Sequence, residues 1–290
     1  MWNIGNGMTR GLMSGFCIVL CAAAQTPEWH HAHQLYQQTE YVQSLAVLAS
    51  ISSKGVDEFQ LIGQCYLMQG NYKQAGEAFE KALALAPRSS ELHRLLGTVY
   101  GRRAETGSVF TAAGNAHKAK QYFERAVELD PANREAVANL FEYYLEAPGF
   151  MGGGLEKAES LIVRIARLDT SAGHHAFAQL EGKRKRYDAD EDQLRRAAAL
   201  APGQVGGMID LAKFLSDRGR VKDSDEIFNE AARIFPDSPQ LLLSRAETYI
   251  AQKRNLKDAR QLLERYLSSP LTPEDPSREH ARALLGKTGN

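Results

Sequence analysis

Residues 71–87 read NYKQAGEAFEKALALAP, and residues 115–131 read NAHKAKQYFERAVELDP. Ala75, Phe79, Ala82 and Pro87 of the first stretch return at the same offsets as Ala119, Phe123, Ala126 and Pro131 of the second. Spacings of four and three put the two alanines and the aromatic on one stripe of a helix, and the proline stops it. Self-similarity of this kind marks an array of small units that bury their apolar faces against one another.

Upstream of the first stretch, Phe59, Ile62, Gly63 and Tyr66 form a second helical stripe, and Gly70-Asn71 is a turn signal between the two. Small residues at Gly63 and Ala75 allow close backbone approach, with aromatics filling the space alongside. The whole unit runs from Val56 to Ser89, a length of 34 residues. In length and pattern it resembles the tetratricopeptide repeat, a helix–turn–helix unit. The resemblance implies an all-α fold, a right-handed solenoid of tandem repeats. Units are expected near 56–89, 90–133, 134–170, 171–204, 205–238 and 239–271, after a degenerate opening unit at 25–55. Together they make a solenoid over 25–276. A capping helix and tail over 277–290, started by Asp275 and carrying Ala281, Leu284 and Leu285, is expected to cover the last repeat.

Three places break the pattern. The second unit carries an insertion between its helices within 101–118, including Val109 and Phe110, and the third carries the Gly-rich loop 147–154 with Phe150 and Met151. Loops of this kind often hold recognition residues. The fourth unit puts Asp190 where a small residue belongs and adds Lys183-Arg-Lys-Arg186, so its packing is expected to be the loosest.

The first residues belong to another category. Arg10, the apolar run 11–21 and Ala22-Ala-Ala24 describe a secretory signal peptide over 1–24, cut before Gln25. The run is short for a membrane helix, with an uncleaved anchor as the alternative. This predicts a protein exported to the periplasm or beyond, in a bacterium, with no membrane span once the signal is gone. Cys65 is then the single thiol left, so no internal disulfide forms.

Lys plus Arg and Asp plus Glu number 35 each, so net charge gives no pull toward nucleic acid or an anionic membrane. His30 and His33 share a helix face but lack further ligands at zinc spacing, and His174-His175 point apart. Gly152-Gly-Gly154 lacks the Gly-Lys-Ser/Thr ending of a phosphate loop. Cys65 reads as a packed thiol. No metal, cofactor or catalytic constellation is expected, and the chain reads as a non-enzymatic scaffold. The alternative is an enzyme on envelope polymers, or its accessory subunit, using a groove acid such as Glu142 with a second acid nearby.

The resemblance also implies that positions 2, 5, 9 and 12 of each first helix line a concave face. Those places include Gln60, Gln64, Arg94, Thr98, Ala138, Glu142, His175, Gln179, Ile209, Lys213, Leu243 and Glu247. Nine of them are the candidate partner-binding set: Gln60, Gln64, Arg94, Thr98, Glu142, His175, Gln179, Lys213 and Glu247. The family's charged clamp for acidic tails needs Lys and Asn where Gln60 and Gln64 stand, so it is absent. The expected partner is a protein or peptide, with no preference written in the repeat itself.

Overall fold

The computed structural model describes residues 26–289, and the signal-peptide reading lies outside them. Fifteen α-helices follow one another among the described residues. They pair as hairpins: α1 (Pro27–Gln37) with α2 (Tyr41–Ser50), α3 (Val56–Met68) with α4 (Tyr72–Leu85), and α5 (Ser90–Thr106) with α6 (Val109–Leu129). Next come α7 (Arg134–Glu146) with α8 (Leu155–Leu168), and α9 (Thr170–Lys183) with α10 (Tyr187–Leu200). The series closes with α11 (Gly206–Asp217) and α12 (Val221–Ile234), α13 (Pro239–Ala251) and α14 (Leu256–Ser268), and α15 (Arg278–Leu285). The fold is an α-solenoid of helical repeats.

Each hairpin closes for reasons visible in its residues. A Cβ on Gly63 would lie 2.4 Å from the Phe79 ring, and one on Gly97 would lie 2.5 Å from Phe123. The missing side chain is the slot into which the second helix sets its aromatic. Five first helices end in the same left-handed turn, with φ of 63° at Thr39, 73° at Gly70, 60° at Lys185, 74° at Gly219 and 52° at Lys253. In each, the next amide reaches back to a carbonyl one turn earlier, as Asn71 N does to Tyr66 O at 2.8 Å.

First helices of successive hairpins also pack on one another (α5 on α7, α7 on α9, α11 on α13, α13 on α15), which places them on the inner side of the curve. The buried core is continuous from Ala75 to Leu180 through Phe79, Leu96, Phe123, Val137 and Phe141. Beyond it the apolar clusters become smaller and separate.

Two expectations are corrected. The residues inserted in the second unit form no loop: α5 and α6 simply run on to 17 and 21 residues, with Gly107-Ser108 as a tight turn. Repeated helix formers made continuation cheaper than an excursion. At the other end Ser277, not Asp275, caps α15, its hydroxyl accepting from His280 N at 3.2 Å. Asp275 instead accepts from Thr272 N at 3.0 Å inside the preceding loop. Ala281 and Leu284 are buried on the last hairpin with Leu263 and Tyr266.

Candidate functional site

The inner strip is built from side chains that bridge one first helix to the next. Arg94 donates to Glu91 at 2.6 Å and, across to α7, to Asn139 at 3.3 Å. His175 Nδ1 sits 3.1 Å from Asp210 on α11, and its Nε2 is 3.1 Å from Gln179. Lys213 lies 4.0 Å from Glu247, which is 2.8 Å from His280 on α15. Polar contacts of this kind join α5 to α7 and run from α9 through α11 and α13 to α15. Thr98 donates back to Arg94 O at 3.2 Å within its own helix.

Ile209 and Leu243, which the repeat numbering puts on the groove, are 6% and 2% exposed and belong to the core. An aliphatic side chain gains more there than on a polar strip. Asn139, Asp210 and His280 enter the strip without having been expected. Asn139 and Asp210 follow directly after the numbered positions Ala138 and Ile209, so a one-residue widening of the stripe would have found them. His280 arrives from the capping helix, outside the repeat numbering altogether.

Glu142 has no hydrogen bond or ion pair among the described residues. Its side chain is exposed, yet the surrounding protein partly desolvates the carboxyl and pushes it upward, while His175 and Arg102 pull it down. The like charge that adds to the upward shift is Glu146, itself 2.6 Å from Lys183. His175 is shifted up by its hydrogen bond to Asp210, opposed by burial and aided by the charges of Asp210, Glu142 and Asp190. Gln60 and Gln64, both half-buried, make no side-chain hydrogen bond among the described residues.

The other sequence features resolve into structure. Lys183, Arg184 and Arg186 pair with Glu146, Glu159 and Glu181. Cys65 is fully buried, donates to Ser44 Oγ at 3.4 Å, and burial pushes its thiol up to about 11. His33 stacks on Trp29 at 4.9 Å. Among the described residues no cluster of three or more His, Cys, Asp or Glu is arranged to hold a metal. No described helix is long and apolar enough to cross a membrane.

Models of the tetratricopeptide repeat match residues 58–132 and 209–276. No curated protein matches the chain. Among solved structures, the chain is similar to a tetratricopeptide repeat protein from Parabacteroides merdae, at 15% identity and a TM-score of 0.58, covering 91% of this chain and 98% of that one. It is also similar to a thermophilic TPR protein from Thermus thermophilus, at 18% identity and a TM-score of 0.55, covering 65% and 97%. At these identities the likeness is one of fold. The two matched stretches are tetratricopeptide repeats, units that generally mediate contact between proteins.

Proposed function

We propose that the chain is an exported scaffold that holds a protein or peptide segment along its concave face, in the service of envelope assembly or secretion. The observation that carries this reading is the division of labour on the inner strip. Arg94, His175, Lys213 and Glu247 are spent on bridging repeats, whereas Gln60, Gln64 and Glu142 keep donors and acceptors open to the groove. Buried or half-buried amides facing a groove suit an extended backbone, which offers a donor and an acceptor at each residue. Export rests on the composition of residues 1–24.

A photo-crosslinking residue placed at Gln64 or Glu142 in cells tests the groove. Val163 on α8, 61% exposed, serves as the control position. The same protein partner is expected at both groove sites and absent at Val163. Equal labelling at all three, or none, would overturn the groove reading. Cell fractionation tests export separately, and recovery of the chain with its first residues intact in the cytoplasm would refute it.

A further inference from the structure

Thr39 is the one β-branched residue at positive φ among the described residues, at 63° in the turn between α1 and α2. Two sister turns meet the same requirement with Gly70 and Gly219, and two others use the unbranched Lys185 and Lys253. A branched side chain held in that region is strained, and strain of this kind persists where the rest of the structure imposes it. The turn itself does not need the hydroxyl. Its hydrogen bonds are made by backbone, Thr39 N donating to Tyr36 O at 2.9 Å and Glu40 N to Leu35 O at 2.9 Å.

The hydroxyl's partner among the described residues comes from the far end of the chain. Arg278, the first residue of α15, donates from Nη1 to Thr39 Oγ1 at 3.3 Å, across 239 positions of sequence. Its other donors are fixed: Nη2 reaches Ser269 O at 3.0 Å and Nε reaches Leu267 O at 3.4 Å, so carbonyls at the end of α14 aim the guanidinium. The loop before it is held as well, with Leu271 buried and Asp275 accepting from both Thr272 N and Thr272 Oγ1. Glu274 of that loop is near enough to Tyr36 and Tyr41 to add to the upward push that burial gives both phenols.

These contacts join the two ends of the solenoid, so its seven hairpins have gone once around and their first helices face an enclosed groove. A groove on the inside of a closed turn is reached along its axis and not from the side. The closure is thin. Neither α1 nor α2 packs closely on α13, α14 or α15, whereas consecutive hairpins pack helix on helix. A single guanidinium–hydroxyl bond, which water replaces on both sides when it breaks, has a modest net strength. That is enough to bias the ring toward closure and too little to lock it.

We infer that Thr39 and Arg278 form a latch that closes the solenoid into a ring, opening to admit a partner segment from the side and shutting behind it. The latch regulates the concave groove, and so rests on that groove being the partner's site. With it shut, a bound segment leaves only by sliding along the axis; with it open, the side is free. Threonine suits the task because its branched side chain is stiff at χ1 and holds the hydroxyl toward Arg278, whereas glycine would offer no acceptor.

Pulsed electron–electron resonance on the full chain tests closure, with spin labels carried by keto amino acids at Gln38 and Glu279, both exposed and each next to a latch residue. The unaltered chain should give mainly one short distance. Arg278→Met keeps the aliphatic stem and loses the donor, and Thr39→Val keeps the branch and loses the acceptor. Each should raise the ratio of long to short distances about tenfold, the loss of one hydrogen bond to a charged group. Thr39→Ser should keep the short distance. The photo-crosslinking residue at Gln64 tests the gate in cells: the yield of crosslinked partner should fall severalfold with Thr39→Val and recover with Thr39→Ser. Distances that neither Arg278→Met nor Thr39→Val alters overturn the latch and leave the groove reading standing. Opening with no change in yield at Gln64 overturns the gate. No partner at Gln64 or Glu142 in the unaltered chain refutes the groove reading, and the gate falls with it even where the distances show the ring opening.

Discussion

The hairpins α3–α8 and the hairpin α9–α10 follow the same plan with different materials. In the former, Phe79 and Phe123 fill slots over Gly63 and Gly97, and the aliphatic core runs unbroken from one unit to the next. In the latter, the slot over Gly182 is filled by a carboxylate: Asp190 Oδ2 would lie 2.8 Å from a Cβ at that glycine. Asp190 is 8% exposed, and Glu181 beside it is 3% exposed, held by Arg184 and Arg186. Apolar contact onward to α11 is left to Ala178, Leu194, Leu211 and Leu215. Since stability in a repeat array is set interface by interface, the buried carboxylate should leave this hairpin less stable than its aromatic counterparts.

The largest expected effect is on the aromatic side of the comparison. Phe79→Ala should cost roughly 3–5 kcal/mol through the cavity left over Gly63, read as lost protection of α3–α5 amides in hydrogen exchange. If protection of α9–α11 falls as far as that of α3–α5, the two regions are one cooperative unit and the comparison breaks.

Asp190→Asn should strengthen the hairpin α9–α10 by about 1–2 kcal/mol at neutral pH. Burial pushes the folded carboxyl up to about 6 from 3.8, with Arg218 and His175 pulling it back. A carboxyl raised on folding penalises the folded state increasingly as pH climbs from about 4 to about 6, and fully above that. The gain from Asn should therefore vanish in acid. A stabilisation of equal size at both ends of the pH range would mean that shape, not charge, governs this slot.

Lys185→Gly should add about 1 kcal/mol to the same hairpin by removing the left-handed strain of a side chain at φ 60°, a place where two sister turns use glycine. No change in melting temperature would show that the turn already tolerates lysine.

The smallest effect concerns the groove beside this hairpin. His175 is raised by Asp210, so its contribution is complete below about 6.5 and fades as pH passes the higher folded value. Asp210→Asn should remove about 0.5 kcal/mol at mildly acidic pH and nothing at alkaline pH, the modest figure reflecting solvent screening. An NMR titration should show the His175 midpoint falling; an unmoved midpoint would assign the shift to Glu142.

Much of this architecture was legible in the chain itself. The repeat spacing carries its own physics: Ala75, Phe79 and Ala82 mean one helix face, Gly63 means a slot, and Pro87 means an end. The departure in the fourth unit was legible too, because Asp190 breaks a position whose size is dictated by packing; the looseness expected there is not seen, since α9 and α10 pack on each other as extensively as the neighbouring hairpins do. The insertion at 101–118 misled, since lengthening two helices and inserting a loop leave similar sequence traces. The groove was half legible. Position numbers located Arg94, His175 and Glu247, but not their partners Asn139, Asp210 and His280.

What the amino-acid sequence determined alone is the unit: local spacing decides which faces of two neighbouring helices meet, and that physics acts within 34 residues. What the tertiary structure decided is everything set by superposing units. Only stacking brings Thr39 to Arg278, pairs Lys183 with Glu146 and Arg254 with Asp225 across hairpins, and assigns Ile209 and Leu243 to the core while leaving Glu142 in the open. Those outcomes depend on the accumulated curvature of many small interfaces, which no single repeat encodes.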